Sequence, residues 1–371
     1  MALIDASPSP FHACAEAAER LVAGGFEEVH EADAWPGGAG RRFLRRGGSL
    51  VAWAVGPAHT STSPFRIVGA HTDSPNLRVK PVPDTGAVGV RQIAVEVYGG
   101  ALLNSWLDRD LGLSGRVAVR GPAGVESRLL RVDRPILRVP QLAIHLDRAV
   151  NDKGLDLNAQ RHLVPMWGLG SPSPGAFRSF VAGEVAVDAP DVLGWDLMTH
   201  DLTASTLAGV EEEFVSAPRL DNLCSAWAGL VALGRAADAL DAAGGAAPIP
   251  LLVLFDHEEI GSTSDRGAAS TLLPSVVERV VAGLGGDRSE LFRALAGSVC
   301  ASADMAHATH PNYADRHEPG HHIGLNAGPV LKVNSNVRYA TDGSAVRAAP
   351  LPLPEGFLVQ TRRGGLFALA P

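Results

Sequence analysis

The 371-residue sequence contains few cysteines, few lysines and few aromatic residues, which make up 5% of the chain. Cys14, Cys224 and Cys300 are far apart and odd in number, so they form neither a CxxC pair nor a disulfide framework. We therefore expect a cytoplasmic protein, because a reducing compartment keeps such thiols free.

The sequence also lacks a basic stripe, a secretory signal and an apolar run of membrane-spanning length. Its formal net charge of −8 argues against nucleic acid as the main partner. The first residues have no basic start followed by an apolar core, and we expect no membrane span. With 46% hydrophobic and 19% charged residues, the chain is globular, and its length favours two or three domains.

One apolar segment, residues 251–255, ends abruptly in polar residues. It follows the turn-forming Pro248 and Pro250 and predicts a strand buried on both faces. Glu258 and Glu259 come just after it, and ligands bind at the carboxyl ends of strands in an open α/β sheet. One carboxylate can then bind metal while the other moves protons. An isolated Glu-Glu pair is more often a solvated turn, so this interpretation depends on the other motifs.

Two further predicted strands end in candidate metal ligands. Residues 65–70 are followed by His71, a good zinc ligand, and by Asp73, which can accept the other ring N–H. Residues 298–303 form a small-residue strand that ends at Asp304. Three acidic strand ends together favour a metal site over a solvated turn.

A fourth candidate ligand, Asp221, begins a segment with apolar residues at helical spacing. A lone Asp at that position is usually only a helix cap. As a metal ligand it would bridge two cations. The loop after Asp304 is rich in histidine, but most exposed histidines bind no metal, so we do not count them all as ligands: His307, His310, His317, His321 and His322.

Short alternating segments with Gly and Pro turns predict a mostly β insertion between residues 82 and 210. We divide the chain into the first part of a catalytic domain (1–92), an inserted β-rich dimerisation or substrate domain (93–210) and the second catalytic part (211–371). Near the start we predict a helix over residues 9–24, capped by Ser9, and a hairpin over residues 41–55.

Five motifs occur in order along the chain: GAHTDSP, RLDNLCSAWAGL, LFDHEEIGS, ADMAHATHPNY and GPVLKVNSNVRYATD. Together with VEVYGGALLNSWLDRDLGLSGRV and AIHL, they resemble the aspartyl aminopeptidase family of zinc metallopeptidases from about residue 9 to about residue 342. The resemblance implies a three-layer αβα zinc-peptidase domain with an inserted mostly-β domain. It also implies a dinuclear zinc aminopeptidase that releases acidic N-terminal residues, Asp or Glu, by metal-activated water attack.

The resemblance implies a role for each matching metal-site residue. His71 is a zinc ligand supported by Asp73, and Asp221 bridges the two metals. Asp304 completes the first metal site, and Glu259 is a ligand of the second.

The remaining roles concern catalysis and substrate. By the same resemblance, Glu258 is the general base, and His145 matches a histidine that the family's β domain lends to a neighbouring subunit's active site. Lys332 lies near the substrate pocket, where a cation suits an acidic side chain. The substrates would be short peptides, and the family forms dimers that assemble into a dodecamer.

The sequence departs from the family after Asp342. The family's Cys-Gly-Ser-Thr turn and late Met-His-Ser segment, whose His completes the second metal site, do not occur in residues 343–371. We interpret this Ala/Pro/Leu/Arg/Gly-rich tail as a frameshift or truncation, which resequencing the 3′ end of the gene would test. The first site keeps three ligands and the second keeps two, which make a poor zinc site.

The departure leaves two alternatives to a fully active aminopeptidase. One is an impaired or non-catalytic family member that keeps the shell without the metal centre. The other is a related dimetal amidohydrolase or deacylase. The sequence leaves zinc, cobalt and manganese open as the native metal.

Overall fold

The computed structural model describes residues 1–242, 247–328, 330, 332 and 360–361. The chain divides into two compact units. The β-rich unit comprises Met1–Ala13 and Ser74–Pro218, and the α/β unit comprises Cys14–Asp73 and Arg219–Pro371. The strand Asn76–Ala87 belongs to the sheet of the β-rich unit, although the sequence division placed it in the first catalytic part.

Helices and strands are numbered here in chain order within the described residues. The helices are α1 (Ala2–Ala6), α2 (Pro10–Ala23), α3 (Val150–Lys153), α4 (Ala159–His162), α5 (Ala176–Glu184), α6 (Leu220–Ala242), α7 (Leu272–Gly283) and α8 (Arg288–Ala296). The strands are β1 (Glu27–Glu28), β2 (Gly40–Arg46), β3 (Ser49–Val55), β4 (Phe65–His71), β5 (Asn76–Ala87), β6 (Val90–Tyr98), β7 (Leu111–Gly121), β8 (Gly124–Leu137), β9 (Met166–Leu169), β10 (Val192–Asp201), β11 (Thr206–Ala208), β12 (Phe214–Ser216), β13 (Ile249–Phe255), β14 (Val299–Ser302) and β15 (Gln360–Thr361).

The α/β unit contains a mixed sheet with the strand order β1-β2-β3-β13-β4-β14-β15. The hairpin of β2 and β3 turns at Gly47 and Gly48, as the sequence predicts, and Gly47 has a φ of 61° that suits glycine. β13 is antiparallel to β3 but parallel to β4, and β14 is also parallel to β4. The carboxyl ends of β13, β4 and β14 therefore lie side by side.

The α/β unit has three layers, a central sheet with helices on each face, because alternate residues of the central strands point to opposite faces of the sheet. Leu251 and Val253 share a buried cluster with residues of α7 and α8. Leu252 points to the opposite face, where α6 approaches so closely that a Cβ on Gly229 would lie 2.5 Å from Leu252 Cδ1. Helices thus cover both faces of the central strands, which confirms the predicted αβα arrangement.

Among the described residues, helix α6 alone reaches the length and apolar character of a membrane span, which the sequence analysis did not expect of any segment. Its stretch Leu220–Leu240 is long and apolar enough to cross a membrane by length and composition. Many core helices pass the same test, and Leu223, Ala226 and Leu233 are buried. We therefore take α6 as the helix that covers one face of the sheet.

The β-rich unit is built on an antiparallel sheet with the strand order β8-β7-β10-β5-β6-β9. Its core includes Leu77, Ile93, Leu113 and Val117, all fully buried. Phe177 of α5 packs into the same core with a ring-centroid distance of 5.3 Å to Trp195. The predicted mostly β insertion is confirmed.

The tail after Asp342 lies almost entirely outside the described residues. Of residues 343–371, the structure describes Gln360 and Thr361, whose strand pairs antiparallel with β14. The interpretation of this tail as a frameshift or truncation stays a prediction.

Candidate metal centre

Three predicted ligands meet at the carboxyl edge of the α/β sheet. His71 is the last residue of β4, Asp304 follows β14, and Asp221 lies at the start of α6. His71 Nε2 is 3.1 Å from Asp221 Oδ1 and 3.7 Å from Asp304 Oδ1. One ligand atom from each residue lies within 4.8 Å of the others. One imidazole nitrogen and two carboxylate oxygens are donors that suit zinc.

The two glutamates lie beside this cluster in a single helical turn, Glu258–Ile260, that follows β13. Glu258 Oε2 is 4.0 Å from His71 Nε2, and the side chain is about half exposed at 49%. Glu258 thus borders the three-residue cluster and remains accessible from solvent. That position suits a proton-transfer group.

Asp73 holds the turn that carries both glutamates. Its side chain is fully buried, and its two carboxylate oxygens accept the backbone N–H groups of Glu258 and Glu259, each at 3.1 Å. His71 Nδ1 is 3.0 Å from the backbone carbonyl oxygen of Asp73 and 3.4 Å from its Oδ1. The sequence analysis expected the Asp73 carboxylate to accept the ring N–H; in the structure the backbone carbonyl oxygen of Asp73 is the nearer acceptor, and the carboxylate lies close beside it. With Nδ1–H donating, Nε2 keeps its lone pair for a metal.

Asn222 links two of the ligands, and sequence reasoning did not identify it as a site residue. Its fully buried side-chain Nδ2 donates to the carbonyl oxygen of Ala303 at 2.8 Å. Asp221 and Asp304 are the chain neighbours of these two residues, so the hydrogen bond fixes the start of α6 against the end of β14. The peptide bond between Asp221 and Asn222 is cis.

The carboxylates around His71 change its protonation strongly. Burial alone would lower the pKa of His71, but the carboxylates of Asp221, Asp304 and Asp73 raise it to about 12. Burial also opposes ionisation of Asp304, but hydrogen bonding to His71 lowers its pKa overall. The site therefore favours a positive charge at its centre.

The raised pKa values of the two glutamates also reflect the excess of negative charge at this site. Burial, the largest cause, raises the pKa of Glu259, the charge of His71 opposes this, and the carboxylates of Asp73, Asp221 and Glu258 add to it, so that the pKa is about 7. Burial and the neighbouring carboxylates likewise raise the pKa of Glu258. A divalent cation would relieve this repulsion, so the charge and the donor atoms both fit a zinc ion.

Two predicted site residues lie outside this cluster. His145 is in the β-rich unit, in an exposed turn where Leu146 N–H donates to the carbonyl oxygen of Ala143 at 2.9 Å. Lys332 is exposed in the α/β unit, and its contact with substrate stays a prediction.

The histidine-rich loop after Asp304 forms contacts of its own. His310 N–H donates to His317 Nε2 at 3.0 Å, and His321 Nδ1 is 2.6 Å from Glu318 Oε2. Within the described part of the chain, the cluster of His71, Asp221 and Asp304 is the one group whose ligand atoms are close enough to hold a metal. The caution about counting these histidines as ligands is consistent with that finding.

Comparison with known proteins gives a family match over nearly the whole chain. The sequence model described as aminopeptidase I zinc metalloprotease (M18) matches residues 3–349. A probable M18 family aminopeptidase 2 of Streptomyces avermitilis is 56% identical over 345 residues, which are 93% of this chain and 78% of that protein. The protein of the same name from Mycobacterium leprae is 54% identical over 348 residues, which are 93% of this chain and 79% of that protein.

Solved structures give the same result. A chain of the Ape4 and Nbr1 complex is 35% identical with a TM-score of 0.87, covering 97% of this chain and 74% of that chain. Chaetomium thermophilum mApe1 is 29% identical with a TM-score of 0.79, and the match covers 89% of this chain and 78% of that chain. A chain of the mApe1 dodecamer of S. cerevisiae is 27% identical with a TM-score of 0.75, and the match covers 89% of this chain and 75% of that chain.

Proposed function

Because the chain belongs to the aminopeptidase I (M18) family of zinc metalloproteases and is a metallo-aminopeptidase, we propose that it releases acidic N-terminal residues from short peptides. The observation that carries the catalytic part is the convergence of His71, Asp221 and Asp304 within 4.8 Å, with Glu258 beside them. The preference for Asp and Glu depends on Lys332, a cation that would lie near the substrate if the family resemblance holds at this position.

The roles of the residues follow from their positions. His71, Asp221 and Asp304 would hold a zinc ion, which when bound supplies a water of lowered pKa and a polarised carbonyl. Glu258 accepts the proton of the attacking water and returns it to the leaving amine. Asp73 keeps Glu258 in place through the backbone of the turn.

We propose a strong first metal site and a weak second one. Three ligands from this chain and one water suit catalytic zinc. Asp221 and Glu259 would hold a second ion with two protein ligands, which is a weaker arrangement. We therefore expect this chain to bind one zinc ion tightly and to turn over slowly.

The substrate preference is tested with a panel of aminoacyl-p-nitroanilides. We expect kcat/KM for the Asp and Glu compounds to exceed that for Leu by at least about tenfold, as one charge-assisted hydrogen bond would give. Lys332→Gln should remove this difference and leave Leu hydrolysis unchanged. Lys153→Gln, at an exposed lysine in the β-rich unit, is the control.

Three outcomes of the panel and of a zinc assay on the same protein would contradict the proposal. Faster hydrolysis of Leu than of Asp or Glu would show a neutral aminopeptidase. Hydrolysis of N-acetyl-Asp compounds in preference to Asp-p-nitroanilide would favour the amidohydrolase or deacylase alternative. Absence of any turnover together with absence of zinc would favour a non-catalytic family member.

We also propose a cytoplasmic homo-oligomer. The dodecameric mApe1 of S. cerevisiae supports the assembly, as do the exposed apolar side chains near His145, among them Leu142, Ile144 and Leu146. Completion of a neighbouring subunit's site by His145 is part of this proposal. All three cysteines are free, as a reducing compartment would keep them, and cell fractionation tests the location.

A further inference from the structure

A left-handed residue joins strand β13 to the turn that carries the two glutamates. His257 has a φ of 66° and a ψ of 24°, and it directly precedes Glu258. A residue with a side chain rarely adopts this conformation, and it persists only where the surrounding structure enforces it. The conformation of His257 sets the direction in which Glu258 leaves the strand.

The surroundings of His257 hold it on both sides. Its N–H donates to Asp256 Oδ1 at 2.9 Å, and its carbonyl oxygen accepts the N–H of Ser262 at 2.8 Å. Its ring Nδ1 is 2.7 Å from Ser264 Oγ. The backbone and the side chain of His257 are therefore both fixed.

Asp256, which holds the N–H of His257, is itself anchored in the interior. Its side chain is fully buried, and its Oδ2 is 3.5 Å from Arg266 Nε. Ser49 Oγ accepts the N–H of Asp256 at 2.8 Å and donates to the carbonyl oxygen of Arg266 at 2.7 Å. Strand β3 and the loop after the glutamates are thus tied to the end of β13.

We propose that His257 is a positioning residue for Glu258: its left-handed backbone, held by the Asp256 carboxylate and by the N–H of Ser262, aims the Glu258 carboxylate at the His71–Asp221–Asp304 cluster. The proposal rests on the proposed role of Glu258 as proton carrier. It concerns backbone conformation alone, so a residue that tolerates the left-handed region should replace His257, whatever its side-chain chemistry.

The test compares two substitutions that differ in their tolerance of this conformation. Asn adopts the left-handed region readily, whereas a β-branched residue does not. We expect His257→Asn to keep kcat within about threefold, and His257→Val to lower kcat at least about tenfold with KM and zinc content unchanged. Ala186→Val is the matched control, because Ala186 is also left-handed, with a φ of 54°, and lies in the β-rich unit. It should leave kcat unchanged.

A crystal structure of each variant gives a readout that does not depend on turnover. We expect Glu258 Oε2 to stay about 4.0 Å from His71 Nε2 in His257→Asn and to move away in His257→Val. An undisplaced Glu258 in His257→Val, or an equal loss of kcat in both variants, would overturn the proposal. If the wild-type protein shows no turnover but the two variants show the expected positions of Glu258, the proposed function is contradicted and the positioning role of His257 still holds.

Discussion

At the scale of single residues, His12 shows how burial changes a titratable group outside the metal centre. Its ring is 8% exposed, and Nδ1 is 2.7 Å from Ser9 Oγ. Burial, with Arg131 and His200, lowers the pKa of His12 to about 4, and Asp133 opposes the shift. His12 is therefore neutral in the folded protein at pH values where the unfolded chain would be protonated.

This difference predicts a loss of stability on acidification. Between the unfolded pKa of 6.5 and the folded value of about 4, the unfolded chain binds more protons, so the free energy of unfolding falls as pH falls. At 1.36 kcal/mol per pKa unit, His12 accounts for a loss of about 3 kcal/mol across that window. His12→Gln should remove this part of the loss.

The measurement is urea unfolding at pH 7 and at pH 4.5 on zinc-free protein. His30→Gln, at an exposed histidine, is the control and should keep the wild-type pH dependence. Equal pH dependence in His12→Gln and wild type would show that His12 is not buried as a neutral ring.

Other residue-level features separate what a sequence shows from what it hides. His71, Asp221, Glu258 and Asp304 stand in recognisable motifs at strand and helix ends, so they could be predicted. Asn222 could not, because its partner Ala303 is 81 positions away. Asp256 and Ser49 are 207 positions apart, and a pattern of neighbouring residues carries no information about such a pair.

At the scale of elements, the metal centre follows from three parallel neighbours in one sheet. β13, β4 and β14 are adjacent and parallel, so residues after each strand meet at one edge. The apolar run of β13 predicted its burial on both faces. Sequence alone could not give the strand order, because the pairing of β13 with β3 joins residues as far apart in sequence as Leu254 and Leu50.

The segment around His145 is predicted to form a contact between subunits. Leu146 is 76% exposed, which is a high value for a large apolar side chain and is typical of an interface. If this segment joins subunits, Leu146→Asp should lower the mass of the assembly measured by light scattering, because a charge would then be buried.

Leu295→Asp serves as the control, since Leu295 lies on α8 of the α/β unit and is 40% exposed. It should leave the assembly unchanged. An unchanged mass in Leu146→Asp, or a monomeric wild-type protein, would contradict a subunit contact at this segment.

At the scale of the whole molecule, the chain combines an α/β unit with a β-rich unit, and most of the β-rich unit, Ser74–Pro218, lies in sequence between the two parts of the α/β unit. The β-rich character of the middle of the chain could be predicted from its short segments of alternating apolar and polar residues. The boundaries of this unit at Ser74 and Pro218 could not be predicted from the sequence. At the first of them, β5 shows the same alternation of residues as the strands that follow it.

The central claim is that His71, Asp221 and Asp304 hold a zinc ion and that Glu258 moves the proton. It is tested by elemental analysis and Asp-p-nitroanilide hydrolysis on the same samples of wild type and Glu258→Gln, with Glu278→Gln at an exposed glutamate as control. We predict about one zinc per chain in all three proteins. Glu258→Gln should lower kcat by about 10²- to 10⁴-fold. A zinc-free wild type, or full activity in Glu258→Gln, would contradict the account.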